Sequence, residues 1–148
     1  MVQGIPPPAA TTILIVEDDE DTREFLTLAI TTETPYHVFS LGSATETFQR
    51  LNEIQAAKPA LLIFDYRLAS MTALELYDRL CVTVELKNIP TTIITADHLD
   101  EDTQRALAER NMRFLEKPFE LNELISCIGQ AVQPGVLLVI DTQETARE

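Results

Sequence analysis

Apolar residues in this chain gather in short unbroken runs, each followed by a stretch with helical spacing. The clearest runs are Thr12-Ile13-Leu14-Ile15-Val16, Leu61-Leu62-Ile63-Phe64 and Thr91-Thr92-Ile93-Ile94-Thr95. Unbroken runs of this length mark strands covered on both faces, where alternation would mark strands with one wet face. Tyr36 to Phe39 is shorter and less apolar, which suits an edge strand, and Arg113 to Glu116 is a fifth candidate.

Helical patterns fill the gaps. The spacing predicts a helix from about Asp21 to Thr32 with Phe25, Leu28 and Ala29 inward, stopped by Pro35. Ser43-Ala44-Thr45-Glu46 is a capping box, and the helix it opens carries Ala44, Thr47, Phe48, Leu51 and Ile54 on one face. A third helix, about Thr72 to Val84, aligns Ala73, Leu76, Tyr77, Leu80 and Val84. A fourth, about Leu99 to Glu109, is polar, with Leu99, Ala106 and Leu107 as its main apolar residues. The fifth has the cleanest spacing: Leu121, Leu124, Ile125 and Ile128. Five strands alternating with five helices predict an α/β domain with a doubly wound parallel sheet and right-handed crossovers.

That topology gathers chemistry on one edge. Every strand's carboxyl end lies on the same side, where open α/β sheets bind ligands. Asp18 and Asp19 follow the first strand, Asp65 ends the third, Thr95 ends the fourth and Lys117 follows the fifth. Two unit charges about 4 Å apart at an effective dielectric of about 20 interact by about 4 kcal/mol. Three carboxylates in one place therefore rise in pKa or recruit a cation. Mg²⁺ suits oxygen ligands and keeps several waters when few carboxylates bind it. Acids, a hydroxyl and an ammonium together can hold a phosphoryl group, and a carboxylate can accept one.

Composition narrows the alternatives. The 148 residues give one domain with core enough to fold unaided. Twenty-four acids against 11 Lys and Arg leave a net charge of −13, which argues against nucleic-acid binding. No apolar run reaches the roughly 18 residues of a membrane span, and no signal peptide is evident. Cys81 and Cys127 lack metal-ligand spacing and read as reduced core or near-core residues, consistent with a cytoplasmic location. A haloacid-dehalogenase-like phosphatase would need an aspartate where Arg67 stands, and no glycine-rich loop is present for a nucleotide.

Taken together, Asp18-Asp19, Asp65, Thr95-Ala96 and Lys117-Pro118, in this order and each at a strand end, resemble the receiver domain of two-component response regulators over about Thr12 to Val132. The resemblance implies a flavodoxin-like (βα)5 fold with strand order 2-1-3-4-5. It implies that Asp65 accepts a phosphoryl group from a histidine kinase or a histidine phosphotransfer protein. Mg²⁺ would be held by Asp18, Asp19, Asp65 and the backbone carbonyl of Arg67, with Thr95 and Lys117 on the phosphoryl oxygens. Thr95 and Phe114 occupy the family's switch positions. Arg67 and Asp97, two past the acceptor and two past the threonine, flank the path of attacking water and would tune phosphate lifetime. One departure stands out: residues 66–73 contain neither the proline nor the glycine usual after the acceptor. A receiver fold serving as a phosphorylation-independent interaction or dimerisation module is the alternative.

The ends complete the expected organisation. Residues 1–11, with Pro6-Pro7-Pro8, read as a flexible lead-in, 12–132 as the domain and 133–148 as a tail. The tail is too short for a DNA-binding domain, so the chain reads as a single-domain regulator. Its run Val136-Leu137-Leu138-Val139-Ile140 favours a strand and suggests a homodimer or kinase contact. The face made by the fourth helix, fifth strand and fifth helix is a second candidate for dimer contact.

Overall fold

The computed structural model describes residues 11–132. The expected lead-in up to residue 10 and the tail with its 136–140 run lie outside the described residues. Five strands, β1 (Thr12–Val16), β2 (His37–Leu41), β3 (Leu61–Asp65), β4 (Thr91–Thr95) and β5 (Met112–Glu116), form one parallel sheet in the order β2-β1-β3-β4-β5. The helices between and after them are α1 (Glu20–Glu33), α2 (Ala44–Gln49), α3 (Leu51–Ala57), α4 (Ala73–Leu80), α5 (Glu101–Glu109) and α6 (Leu121–Val132).

The sheet has a core on each face, as its unbroken apolar strands require. Ile13, Ile15, Leu61, Ile63 and Ile94 point to one side and pack with α1 and α6. Leu14, Val16, Leu62, Phe64 and Ile93 point to the other and pack with α2 to α5. Consecutive strand side chains alternate between faces, so each central strand feeds both cores. Fully burying one such side chain is worth about 1.5–3 kcal/mol.

Several expectations change in detail. Phe25 and Leu28 do not face inward; they are 44% and 64% exposed. The buried stripe of α1 is Leu26, Ala29 and Ile30. Both stripes have helical spacing and share Ala29, so periodicity could not separate them. The sheet decides, because Leu26 and Ile30 reach Ile13 and Ile15. Phe25 instead meets Phe119, with ring centroids 6.3 Å apart.

The helix after the capping box is two helices. Ser43 Oγ accepts from the Glu46 amide at 3.0 Å, and Glu46 Oε1 accepts from the Gly42 amide at 2.8 Å. At Arg50 the backbone leaves helical geometry (φ −120°, ψ 32°), and its amide bonds back only three residues, to Thr47. The Arg50 guanidinium is anchored there by Glu46, by Glu53 and by the Phe39 ring, whose centroid lies 4.7 Å away. The apolar face runs on across the break through Ile54.

Cys81 is exposed, contrary to expectation, because α4 stops at Leu80 and leaves Cys81 at its cap. Cys127 is half-buried, and both thiols are free. No described helix is long and apolar enough to cross a membrane.

Candidate functional site

Ladder bonds continue one residue past β1, β3 and β5. The Glu17 amide donates to Leu41 O at 3.1 Å, the Tyr66 amide to Ile94 O at 2.7 Å and the Lys117 amide to Thr95 O at 2.7 Å. The backbone at the carboxyl edge is thus as fixed as the sheet. Glu17, Asp65, Thr95 and Lys117 project from that edge.

Glu17 is the centre of the site. It is only 1% exposed. Its Oε1 accepts from Lys117 Nζ at 3.0 Å and its Oε2 from the Asp19 amide at 3.0 Å. Lys117 Nζ also stands 3.7 Å from Asp65 Oδ1. Carboxylate oxygens of Glu17, Asp18 and Asp65 lie within 4.8 Å of one another. One lysine faces three acids, an excess of negative charge that a divalent cation with oxygen ligands would balance.

The titration of the cluster follows from this crowding. Burial, then the negative charges of Glu17 and Asp18, push the Asp65 carboxyl up to about 7, against the opposing pull of Lys117. Burial would lower the Lys117 pKa, but its bond to Glu17 and the charges of Asp65, Glu17 and Asp19 outweigh that and raise it.

Asp19 is placed differently from the expected acid pair. Its Oδ2 accepts from the Thr22 amide at 2.9 Å and from the Thr22 hydroxyl at 2.6 Å, making it the N-cap of α1. Those two bonds, the hydroxyl's first, hold its carboxyl below the usual carboxylate range. The pair that reaches Asp65 is Glu17-Asp18, one residue earlier than the sequence suggested. A signal for this was present. Glu17 directly follows the buried strand, and Asp19 directly precedes Glu20 and Asp21, the acids of a first helical turn.

The Thr95 hydroxyl is buried and engaged. It accepts from the Asp97 amide at 3.0 Å and donates to the Asp97 carbonyl at 3.1 Å. The Asp97 carboxylate in turn takes the Arg67 guanidinium, so Thr95, Asp97 and Arg67 form one chain of contacts over the rim. Both side chains of the Arg67–Asp97 pair are well exposed.

The loop after Asp65 manages without proline or glycine. Leu68 and Met71 exchange backbone bonds at 3.0 and 3.3 Å, and the Ala73 amide donates to Tyr66 O at 2.8 Å. Arg67 and Thr72 pair as an antiparallel bridge, and the Arg67 carbonyl takes part in none of these bonds. No residue of the loop has a positive φ, so nothing in its path requires glycine. Buried Leu68 ties the loop to the core. Phe114 projects from β5 opposite Ile93 and is 39% exposed, outside the core.

A doubly wound sheet with three clustered carboxylates and an adjacent lysine at its carboxyl edge defines an open α/β domain whose candidate site lies at the strand ends. Residues 13–129 match the family described as response regulator receiver domain, and the chain belongs to that family. A two-component response regulator of Arabidopsis thaliana, ARR17, is 28% identical over 84 residues, covering 57% of this chain and 53% of the relative. The chain thus spans about half the length of that curated relative. A CheY-like receiver domain protein from Methanospirillum hungatei superposes with a TM-score of 0.72 at 18% identity, covering 85% of this chain and 96% of that one. Chemotaxis protein CheY4 of Vibrio cholerae does so with a TM-score of 0.72 at 22% identity, covering 83% and 99%. At these identities the structures speak for the fold.

Proposed function

We propose that this receiver domain accepts a phosphoryl group on Asp65 from a phosphohistidine of a histidine kinase or phosphotransfer protein, and signals by protein contact or by passing the group on. The observation that carries this reading is the place of Asp65: a nearly buried carboxylate at a strand end, 3.7 Å from an ammonium and beside two further acids. An Asp65 oxygen attacks phosphorus, the phosphorus–nitrogen bond breaks, and the histidine nitrogen keeps the electron pair. Lys117 stands ready to move from Asp65 toward a phosphoryl oxygen. Glu17 and Asp18, with Asp65 and the Arg67 carbonyl, would hold Mg²⁺, which supplies the positive charge that lets acids and phosphoryl share the pocket. Asp19 acts by fixing the start of α1, a role distinct from metal ligation.

Thr95 can donate to a phosphoryl oxygen only by giving up its bond to the Asp97 carbonyl. Phosphorylation would thereby loosen the β4–α5 turn, and half-exposed Phe114, the aromatic on the neighbouring strand, would bury in response. The face of α5, β5 and α6 around Phe114 is then the surface through which a second copy or a target would sense the change. Incubation with acetyl phosphate and Mg²⁺, followed by intact mass measurement, tests the reading. A gain of one phosphoryl mass is expected. No gain with acetyl phosphate or with a phosphorylated kinase leaves the phosphorylation-independent module as the reading.

The Arg67–Asp97 pair, at the positions that flank the attacking water's path in this family, would restrict water at Asp65. Arg67→Ala should shorten the aspartyl-phosphate lifetime, by at most about fivefold, since an exposed ion pair is worth about 0.2–1 kcal/mol. The effect should shrink in high salt. Loss of phosphate mass over time in both proteins measures it, and equal rates would remove the pair from the kinetics.

A further inference from the structure

The opposite end of the sheet carries a feature the acidic site does not use. A cleft of about 310 Å³ opens at the amino ends of β4 and β5, beside the last turn of α6. Lys87, Arg110 and Arg113 line it together with the amides of Asn88, Asn111 and Gln130. No aspartate or glutamate is among its lining residues, although the chain has 24 acids and a net charge of −13.

The cations differ in what they already hold. Arg110 gives its fork to Asp78, at 3.1 and 2.9 Å, and a further N–H to Ala106 O. Arg113, among the described residues, donates only to the neutral Gln130 amide oxygen, at 3.2 Å. Among the described residues Lys87 has no carboxylate within salt-bridge distance. Two like charges thus share a cleft without a counter-charge among the described residues, an arrangement that an anion would relieve. The amides add neutral donors at the same wall, and Arg113 offers a fork suited to an oxyanion. Ile89 and Pro90 give the cleft an apolar part, and its volume matches a small molecule better than a single ion.

We propose that this cleft is a binding site for a small multivalent oxyanion, a phosphate- or carboxylate-bearing metabolite, held by Lys87 and Arg113 with the Gln130 and Asn amides. It lies one strand length, about 15 Å, from the carboxyl edge, far enough that its ligand and Asp65 do not touch. The proposal stands independently of the phosphoacceptor reading.

Calorimetric titration of the full chain with pyrophosphate and with citrate, each in EDTA, tests it. Without metal, the acidic edge repels both probes, which separates the two ends of the molecule. Saturable binding at millimolar concentration or below is expected, weakening as salt rises. Binding of pyrophosphate alone assigns a phosphate ligand, of citrate alone a carboxylate ligand. Arg113→Gln and Lys87→Gln should each weaken it about tenfold. Gln130→Glu, which sets a carboxylate against Arg113 at a partly exposed position, should abolish it. Phosphorylation of Asp65 should be unchanged in all three variants. Absence of saturable binding in the unmodified chain, or binding that survives both charge removals and Gln130→Glu, overturns the proposal.

Discussion

Asp65→Asn abolishes phosphoryl gain and, at the same time, makes the metal-free protein more stable above neutral pH. The first effect follows from chemistry: an amide oxygen is too poor a nucleophile to take the phosphoryl group, while shape and the β3 ladder are kept. The second follows from electrostatics. A carboxyl whose pKa goes from 3.8 to about 7 on folding costs the folded state on the order of 4 kcal/mol once ionised, at about 1.4 kcal/mol per tenfold in proton affinity. The folded state holds this proton more tightly than the unfolded chain does. The group's contribution is therefore favourable below pH 3.8, declines as pH rises toward about 7 and is flat above. The advantage of Asp65→Asn should open over that same window and reach about 2–4 kcal/mol, allowing for relaxation and water entry around the cluster. Urea denaturation from pH 4 to 8 in EDTA measures it. Mg²⁺ should then narrow the gap by stabilising the unmodified protein. A variant that still gains phosphoryl mass, or whose stability tracks the original at every pH, contradicts the account of this residue.

Lys117→Met should be the most destabilising single change at the site. Glu17 is buried and depends on the ammonium at 3.0 Å. Removing one member of a buried pair leaves an uncompensated charge and costs about 3–5 kcal/mol; Lys117 is partly exposed, so about 2–4 kcal/mol is expected here. Adding Glu17→Gln should recover most of that loss, because no charge is then left without a partner. Lys117 has a raised pKa, so the pair's stabilisation is complete below 10.5 and lost only as pH passes above it. The deficit should grow as pH rises through about 7, because Asp65 then ionises without the opposing pull of Lys117. Denaturation of both single variants and the double in EDTA gives the cycle; a Glu17→Gln change that adds to the damage would refute the pairing argument. Acetyl phosphate labelling of Lys117→Met should be slowed as well, since Asp65 loses its neighbouring cation.

Much of this molecule is legible without coordinates. Unbroken apolar runs between helical stretches fix a parallel sheet covered on both sides, because only that arrangement buries every residue of Leu61 to Phe64. The same connectivity sends Asp65, Thr95 and Lys117 to one edge, and all three are there. The Ser43–Glu46 box is local chemistry: Ser43 takes the Glu46 amide as written, while Glu46 takes the Gly42 amide, one residue before the box.

What the sequence left open was settled by contacts between distant segments. The inward stripe of α1 was ambiguous by one residue, and the sheet selected Leu26 and Ile30 over Phe25 and Leu28. The acid run 17–21 offered overlapping pairs, and local rules favoured none strongly. Glu17 was selected because Lys117, 100 residues away, brings its ammonium to the buried carboxylate. That freed Asp19 to cap α1. The Arg50 break, exposed Phe114 and the acid-free basic cleft likewise depend on where remote side chains come to lie. Periodicity carries information along one element, whereas the choice between equivalent faces or adjacent acids is made by the partner that tertiary packing brings within a few ångströms.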